Sequence, residues 1–200
     1  LRLIYPEDSA HIERYLAFKA QNPGTKINHA LVLGGPQGIG KDTILHPVRH
    51  ALGPWNVSEV TPPIVLKKFN PWVKCVLAVV SEARDLGETD RFAFYEHMKV
   101  YTAAPPDVLE VDEKYLRQQS VFNVMGVVLT TNHRTGVIFL PTDDRRHFVA
   151  WSHVTRDQFP EGYWRDLYGW YDAGGTEHVA AYLRTLDLSD FDPKAPPRQT

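Results

Sequence analysis

Apolar residues recur along the chain with two different periods, and their alternation predicts strands interleaved with helices. Ile12, Tyr15, Leu16 and Phe18 fall at helical spacing between Pro6 and about Gln21, and Asn22-Pro23-Gly24 ends that helix. Ala30-Leu31-Val32-Leu33 reads as a short buried strand. A helix is predicted from about Lys41 to Leu52, stopped by Gly53-Pro54. Pro62 and Pro63 open a short helix expected to run through Phe69. Val73 to Val80 is the most apolar run, rich in β-branched residues, and reads as a central buried strand. Arg91 to Tyr101 is predicted helical and is broken by Ala104-Pro105-Pro106-Asp107. Val108–Val111 and Ser120–Val124 are expected as the arms of a hairpin around Lys114. Val127–Thr131 predicts another buried strand, with further strands at Val137–Leu140 and His147–Trp151. From about Pro160 to Leu186, Tyr163, Leu167, Trp170 and Tyr171, then Val179, Tyr182 and Leu183, recur at helical spacing. The polar, proline-rich end from Asp190 to Thr200 is expected to be a flexible tail.

Strands alternating with helices argue for an α/β fold with a mostly parallel central sheet and a site at the carboxyl ends of its strands. The expected division is a helical flank over 1–26, a core over 27–155, a C-terminal helical segment over 156–188 and a tail over 189–200. With 200 residues, the chain is long enough for one such domain and a small appendage. Hydrophobic residues at 43% and charged residues at 23% exclude general disorder. A net charge of −2 excludes a global basic field, so any nucleic-acid contact must come from a local patch. The single cysteine, Cys75, lies in an apolar run and cannot form an internal disulfide, which fits a reducing, cytoplasmic setting. No stretch approaches the ~20 apolar residues of a membrane span, so no membrane partner is expected. The chain begins at Leu1 rather than Met, and is expected to be a domain excised from a longer protein.

Between the first strand and the second helix lies Gly35-Pro36-Gln37-Gly38-Ile39-Gly40-Lys41-Asp42-Thr43. Glycines let the backbone turn its N–H groups onto phosphate, the helix N-terminus adds a favourable dipole, and Lys41 supplies a cation for the β- and γ-phosphates. The pattern predicts ATP with Mg²⁺. One position departs from it. A hydroxyl is expected directly after the lysine to touch Mg²⁺; Asp42 stands there, with Thr43 next. Either Asp42 ligates the ion as a hard oxygen donor or Thr43 does so through a small shift.

Three further groups fit around such a loop. Glu82, in Ser81-Glu82-Ala83-Arg84-Asp85 at the end of the apolar Val73–Val80 run, is the candidate to polarise the attacking water and to assist in holding the metal, with Ser81 standing where a second acid is usual. Asn132, after Val127–Thr131, is placed to hydrogen-bond the γ-phosphate and orient that water. Arg145 or Arg146, in Asp143-Asp144-Arg145-Arg146, suits an arginine that stabilises transition-state charge from a neighbouring subunit. The alternative for that turn is mutual neutralisation at the surface.

The order GGPQGIGKDT, VLAVVSEARD, TAAPPDVLEVDEKYLRQ, VVLTTN, DDRRHFVAW resembles the helicase domain of phage and plasmid primase-helicases, which are similar to superfamily 3 helicases with an AAA+-type P-loop core. The resemblance spans roughly Ala30 to Trp151. It implies a homo-hexameric ring that translocates on single-stranded DNA using ATP, with an N-terminal primase region lying outside this sequence. It also implies a hairpin lysine projecting into the ring channel, matched by Lys114. Arg117 stands nearby to grip phosphates, and Tyr115 is suited to stack on a base. Two other functions use the same loop: a nucleotide-type kinase, and an ATP-binding assembly module that does not hydrolyse.

Overall fold

A computed structural model describes residues 1–81, 88–133, 141 and 143–198, with the backbone alone at 88–90. Five strands form one parallel sheet: β1 (Ala30–Gly34), β2 (Val57–Val60), β3 (Leu77–Val80), β6 (Gly126–Thr131) and β7 (His147–Trp151). Their order is β2-β3-β6-β1-β7. The three central strands are buried along their whole length, which is why they read as continuous apolar runs. Successive side chains still divide between the two faces. Leu31, Leu33, Leu77, Val79 and Val128 pack with α1 (Ser9–Gln21), α2 (Lys41–Leu52) and α6 (Thr176–Thr185) on one side. Val32, Ala78, Val80, Val127 and Leu129 pack on the other with Trp72, Phe94, Met98 and Tyr101. Phe94, Met98 and Tyr101 belong to α4 (Glu88–Thr102).

Three elements differ from expectation. The strand predicted from Val73 begins only at Leu77, because Pro71-Trp72-Val73 form a 3₁₀ turn whose Trp72 and Val73 are apolar to fill the core rather than to build a ladder. The helix expected to reach Phe69 is α3 (Pro62–Val65), and Lys67, Lys68 and Phe69 after it are exposed. Strand β2 carries no strong apolar signal; it is four residues long at the sheet edge, half-exposed, and pairs with β3 alone. The hairpin is present, with β4 (Val108–Val111) antiparallel to β5 (Gln119–Phe122). The strand expected at Val137–Leu140 lies outside the described residues.

The flanks close onto the core. Lys19, fully buried on α1, donates from Nζ to the carbonyls of Pro23, Thr25 and Val124 at 3.3, 2.9 and 2.7 Å, and burial pulls its pKa down to about 8. Gln21 Nε2 donates to Leu183 and Leu186 carbonyls at 2.8 and 2.9 Å, joining the first helix to the last. Arg198 meets Asp8 at 3.2 Å. Among the described residues no helix is long and apolar enough to cross a membrane.

Candidate functional site

The fold places the glycine loop where β1 ends and α2 begins. Gly35, Gly38 and Gly40 have φ of +145°, +80° and +91°, a region that L side chains avoid. At Gly40 space is also short: a Cβ there would lie 2.7 Å from the Trp164 ring. Ile39 points away from the loop into the core and is fully buried, anchoring it from beneath. Lys41 is 7% exposed, and its Nζ donates to the Gly35 and Pro36 carbonyls at 2.8 Å each. Burial lowers its pKa from the ordinary lysine value, and the Asp42 carboxylate opposes that shift. The ammonium is thus held over its own loop by two neutral acceptors, which a phosphate oxygen would replace with stronger, charged ones.

A cleft of about 390 Å³ opens above the loop. Its floor is Gln37, Gly38, Gly40, Lys41, Asp42 and Thr43. Ser81 at the end of β3 and Thr130, Thr131 and Asn132 at the end of β6 form one wall. The order β3-β6-β1 explains this: the two strands whose tips are polar lie beside the strand that carries the loop. Gly35 and Ile39 sit beneath the cleft, and Pro36 at its rim is half-buried. Glu82 lies outside the described residues, as do Arg84 and Asp85. Ser81, one position earlier, is fixed at the edge of the cleft by its backbone N–H on the Val60 carbonyl at 3.0 Å.

The opposite wall was not anticipated. Arg156, Trp164 and Tyr168 come from the segment after β7 and from α5 (Tyr163–Trp170). Arg156 sits in a short 3₁₀ turn fixed by a reciprocal cap between Thr155 and Gln158. Its side chain lies over Gly38, where a Cβ would come within 3.2 Å of Cδ. The Tyr168 hydroxyl is 2.9 Å from Thr43 Oγ1, and the Tyr171 hydroxyl donates to the Thr43 carbonyl at 3.3 Å. The buried Trp164 indole N–H has no acceptor among the described residues. The sequence showed these aromatics only as a helical stripe, which looks the same whether it covers a core or a cleft. Past Gly40, Thr43 and Trp164 the cleft continues into an apolar recess of about 310 Å³, with Ile4, Ile44, Val48 and Leu167 among its walls.

Arg145 and Arg146 are not in this cleft. The parallel register pairs Ala30 with His147 and Gly34 with Trp151, so the arginines before His147 stand at the opposite end of the strands, roughly 15 Å of strand away. Their turn is more than a surface neutralisation. The Asp144 side chain is 7% exposed, and its Oδ2 lies 3.1 Å from His147 Nδ1. Burial pushes the Asp144 pKa up, but hydrogen bonds from His147, Tyr95 and the backbone outweigh that and hold it below the ordinary carboxylate value. Lys114, Tyr115 and Arg117 form the hairpin tip, also away from the cleft. Tyr115 is 90% exposed with φ +67°, and Lys114 Nζ lies 4.8 Å from its ring centroid, a cation–π contact.

Among the described residues no cluster of three or more acidic, histidine or cysteine side chains is arranged to hold a metal by itself. Mg²⁺ bound with a nucleotide takes most of its ligands from phosphates and water, so one or two protein oxygens suffice. Asp42, Thr43 and Ser81 on the cleft walls fit that requirement.

The fold is similar to that of the C-terminal region of NrS-1. The apo structure of that region matches with 18% identity over 93% of this chain and a TM-score of 0.78. Its A form matches with 16% identity over 96% of this chain and a TM-score of 0.76. The chain spans 44% of the length of each. The likeness is one of fold, a P-loop NTPase-like α/β sheet flanked by helices. No curated protein sequence matches. Over residues 33–146, from the last residues of β1 through the arginine turn, the match is to one family model, and the chain belongs to that family of unknown function, DUF5906.

Proposed function

We propose that this chain is the ATP-hydrolysing motor of a helicase or translocase that acts on single-stranded DNA as a ring of identical subunits. The observation that carries the reading is the shared cleft: Lys41 and the glycine loop on one side, and the polar tips of β3 and β6, Ser81 and Asn132, on the other. Loop N–H groups and Lys41 bind the β- and γ-phosphates, and the apolar recess past Gly40 receives the base. Asn132 orients water against the γ-phosphate, and Glu82 takes its proton. Bound Mg²⁺ supplies charge neutralisation at the phosphates, with Asp42 or Thr43 as the protein's contribution. Arg156 reaches the phosphates from the same chain, over Gly38. Arg145 or Arg146, facing away from their own cleft, complete the cleft of a neighbouring copy. Lys114, Tyr115 and Arg117 contact the strand through phosphates and base faces, without reading sequence.

ATP turnover measured with and without single-stranded DNA tests the proposal. Stimulation by the strand is expected. Transfer of phosphate to an acceptor other than water would replace the reading with a kinase. Tight ATP binding with no turnover would replace it with an assembly module.

A further inference from the structure

The turn carrying Arg145 and Arg146 is held from two sides, by α4 and by β1. On one side is α4. The Tyr95 hydroxyl donates to Asp144 Oδ1 at 3.0 Å. Asp144 Oδ2 accepts the backbone N–H groups of Arg146 and His147 at 3.2 and 2.9 Å, and lies 3.1 Å from His147 Nδ1. On the other side, the Ala30 N–H at the head of β1 donates to the Arg146 carbonyl at 2.7 Å. β1 ends in the glycine loop, and α4 packs Phe94, Met98 and Tyr101 against the same sheet. A carboxylate buried to this degree, with four donors around it, fixes the main chain of the turn rather than solvating it. Tyr95 itself is 5% exposed, so its hydroxyl sits where α4 packs and not in solvent.

We infer that Asp144 and Tyr95 are positioning residues for the arginine turn, tying the arginines that a subunit presents to its neighbour to the strand that carries its own glycine loop and to the helix packed on the same sheet. This rests on reading Arg145 or Arg146 as an intersubunit arginine. Asp144 takes the N–H groups of the two peptides that flank the Arg146 Cα and so sets the orientation of that residue. Tyr95 sets where that carboxylate stands relative to α4. A shift of α4 against β1 therefore turns the arginines, whereas the nucleotide's own contacts are untouched.

The test compares Tyr95→Phe, Asp144→Asn, Arg145→Ala, Arg146→Ala and the combined variants. kcat and KM for ATP, equilibrium binding of a fluorescent ATP analogue, and self-association with ADP–aluminium fluoride measured by sedimentation are read for each. Tyr95→Phe removes one hydroxyl and keeps the ring, so it reports on positioning even if Asp144→Asn folds poorly. Expected are a loss of about 10–100-fold in kcat and a weakened analogue-driven association, with KM and nucleotide affinity within about twofold. Adding Tyr95→Phe to the arginine variant that is itself impaired should cost nothing more, because both act through one group. Additive losses, or a wild-type kcat in Tyr95→Phe and Asp144→Asn while an arginine variant is impaired, overturn the positioning role alone. Wild-type behaviour of both arginine variants overturns the intersubunit arginine, and the positioning role with it.

Discussion

Thr43 and Tyr168 meet hydroxyl to hydroxyl at 2.9 Å, although 125 positions separate them in the sequence. The helix that follows the glycine loop is thereby tied to α5, and the Thr43 hydroxyl already has a partner. Tyr168→Phe releases Thr43 at the cost of one exposed hydrogen bond, a group worth about 1 kcal/mol. The variant is expected to bind ATP with Mg²⁺ about two- to fivefold more tightly and to leave binding in EDTA unchanged. Titration of a fluorescent ATP analogue under both conditions checks it. Weaker binding in both would place Tyr168 on the nucleotide itself.

Lys41→Ala removes the loop's cation and leaves two carbonyls, Gly35 and Pro36, without their donor. Nucleotide affinity is expected to fall by at least about 100-fold and turnover to vanish, as for any charged hydrogen bond lost to phosphate. Retained turnover would remove the loop from the site.

Glu82→Gln keeps the shape of the side chain and removes its basicity. ATP binding should persist, with hydrolysis falling by about 10²- to 10⁴-fold. A variant that binds and hydrolyses normally would leave the water to another group on the cleft wall.

The hairpin should separate strand contact from chemistry, because Lys114 and Tyr115 stand at an exposed tip that does not line the cleft. Lys114→Ala is expected to cut DNA-stimulated turnover about tenfold, while turnover without DNA changes less than about twofold. Equal loss of both would indicate that the lysine supports the hairpin's structure.

Just before β1, at the end of that strand away from the glycine loop, His29 Nε2 lies 2.9 Å from His11 Nε2 on α1. Burial pulls their pKa values down to about 4 and about 3. Both fall below the ordinary value of about 6.5, so the unfolded chain takes up protons first as pH drops. Stability is full above about pH 7 and is lost as pH falls through about 6.5 towards 4. For His29, which is 2% exposed, the loss between pH 7.5 and pH 5 is about 2 kcal/mol; His11 adds less because solvent reaches it. Urea unfolding across that range should show the decline, and His29→Gln should flatten it. A pH-independent midpoint would contradict the burial of the neutral pair.

The parts of this fold that were legible in the sequence are those with a strong period or a strong chemical requirement. β1 and β6 fall where their apolar runs predicted, because strands buried on both faces stay apolar up to their tips, and α2 falls between the glycine loop and Gly53 as its spacing predicted. The glycine loop announced itself through backbone need: three positive-φ glycines in six residues, followed by a lysine. What escaped was set by tertiary contact. β2 is held by its neighbour rather than by its own pattern, and Trp72 is apolar for packing without being in a strand. Arg156 was unremarkable in sequence because nothing local relates it to Gly38, and the helical spacing of the α5 aromatics did not say what they cover; α5 has no fully buried residue.

The Asp8–Arg198 pair brings the segment before α1 beside the one that follows α6, and Gln21 grips the end of that last helix. Sequence order and spatial order are therefore separable in this domain. A circular permutant, joined near these two residues by a short flexible linker and reopened at the exposed Tyr115 tip, would retain every strand neighbour and every wall of the cleft. Such a molecule would leave only the hairpin free to fray.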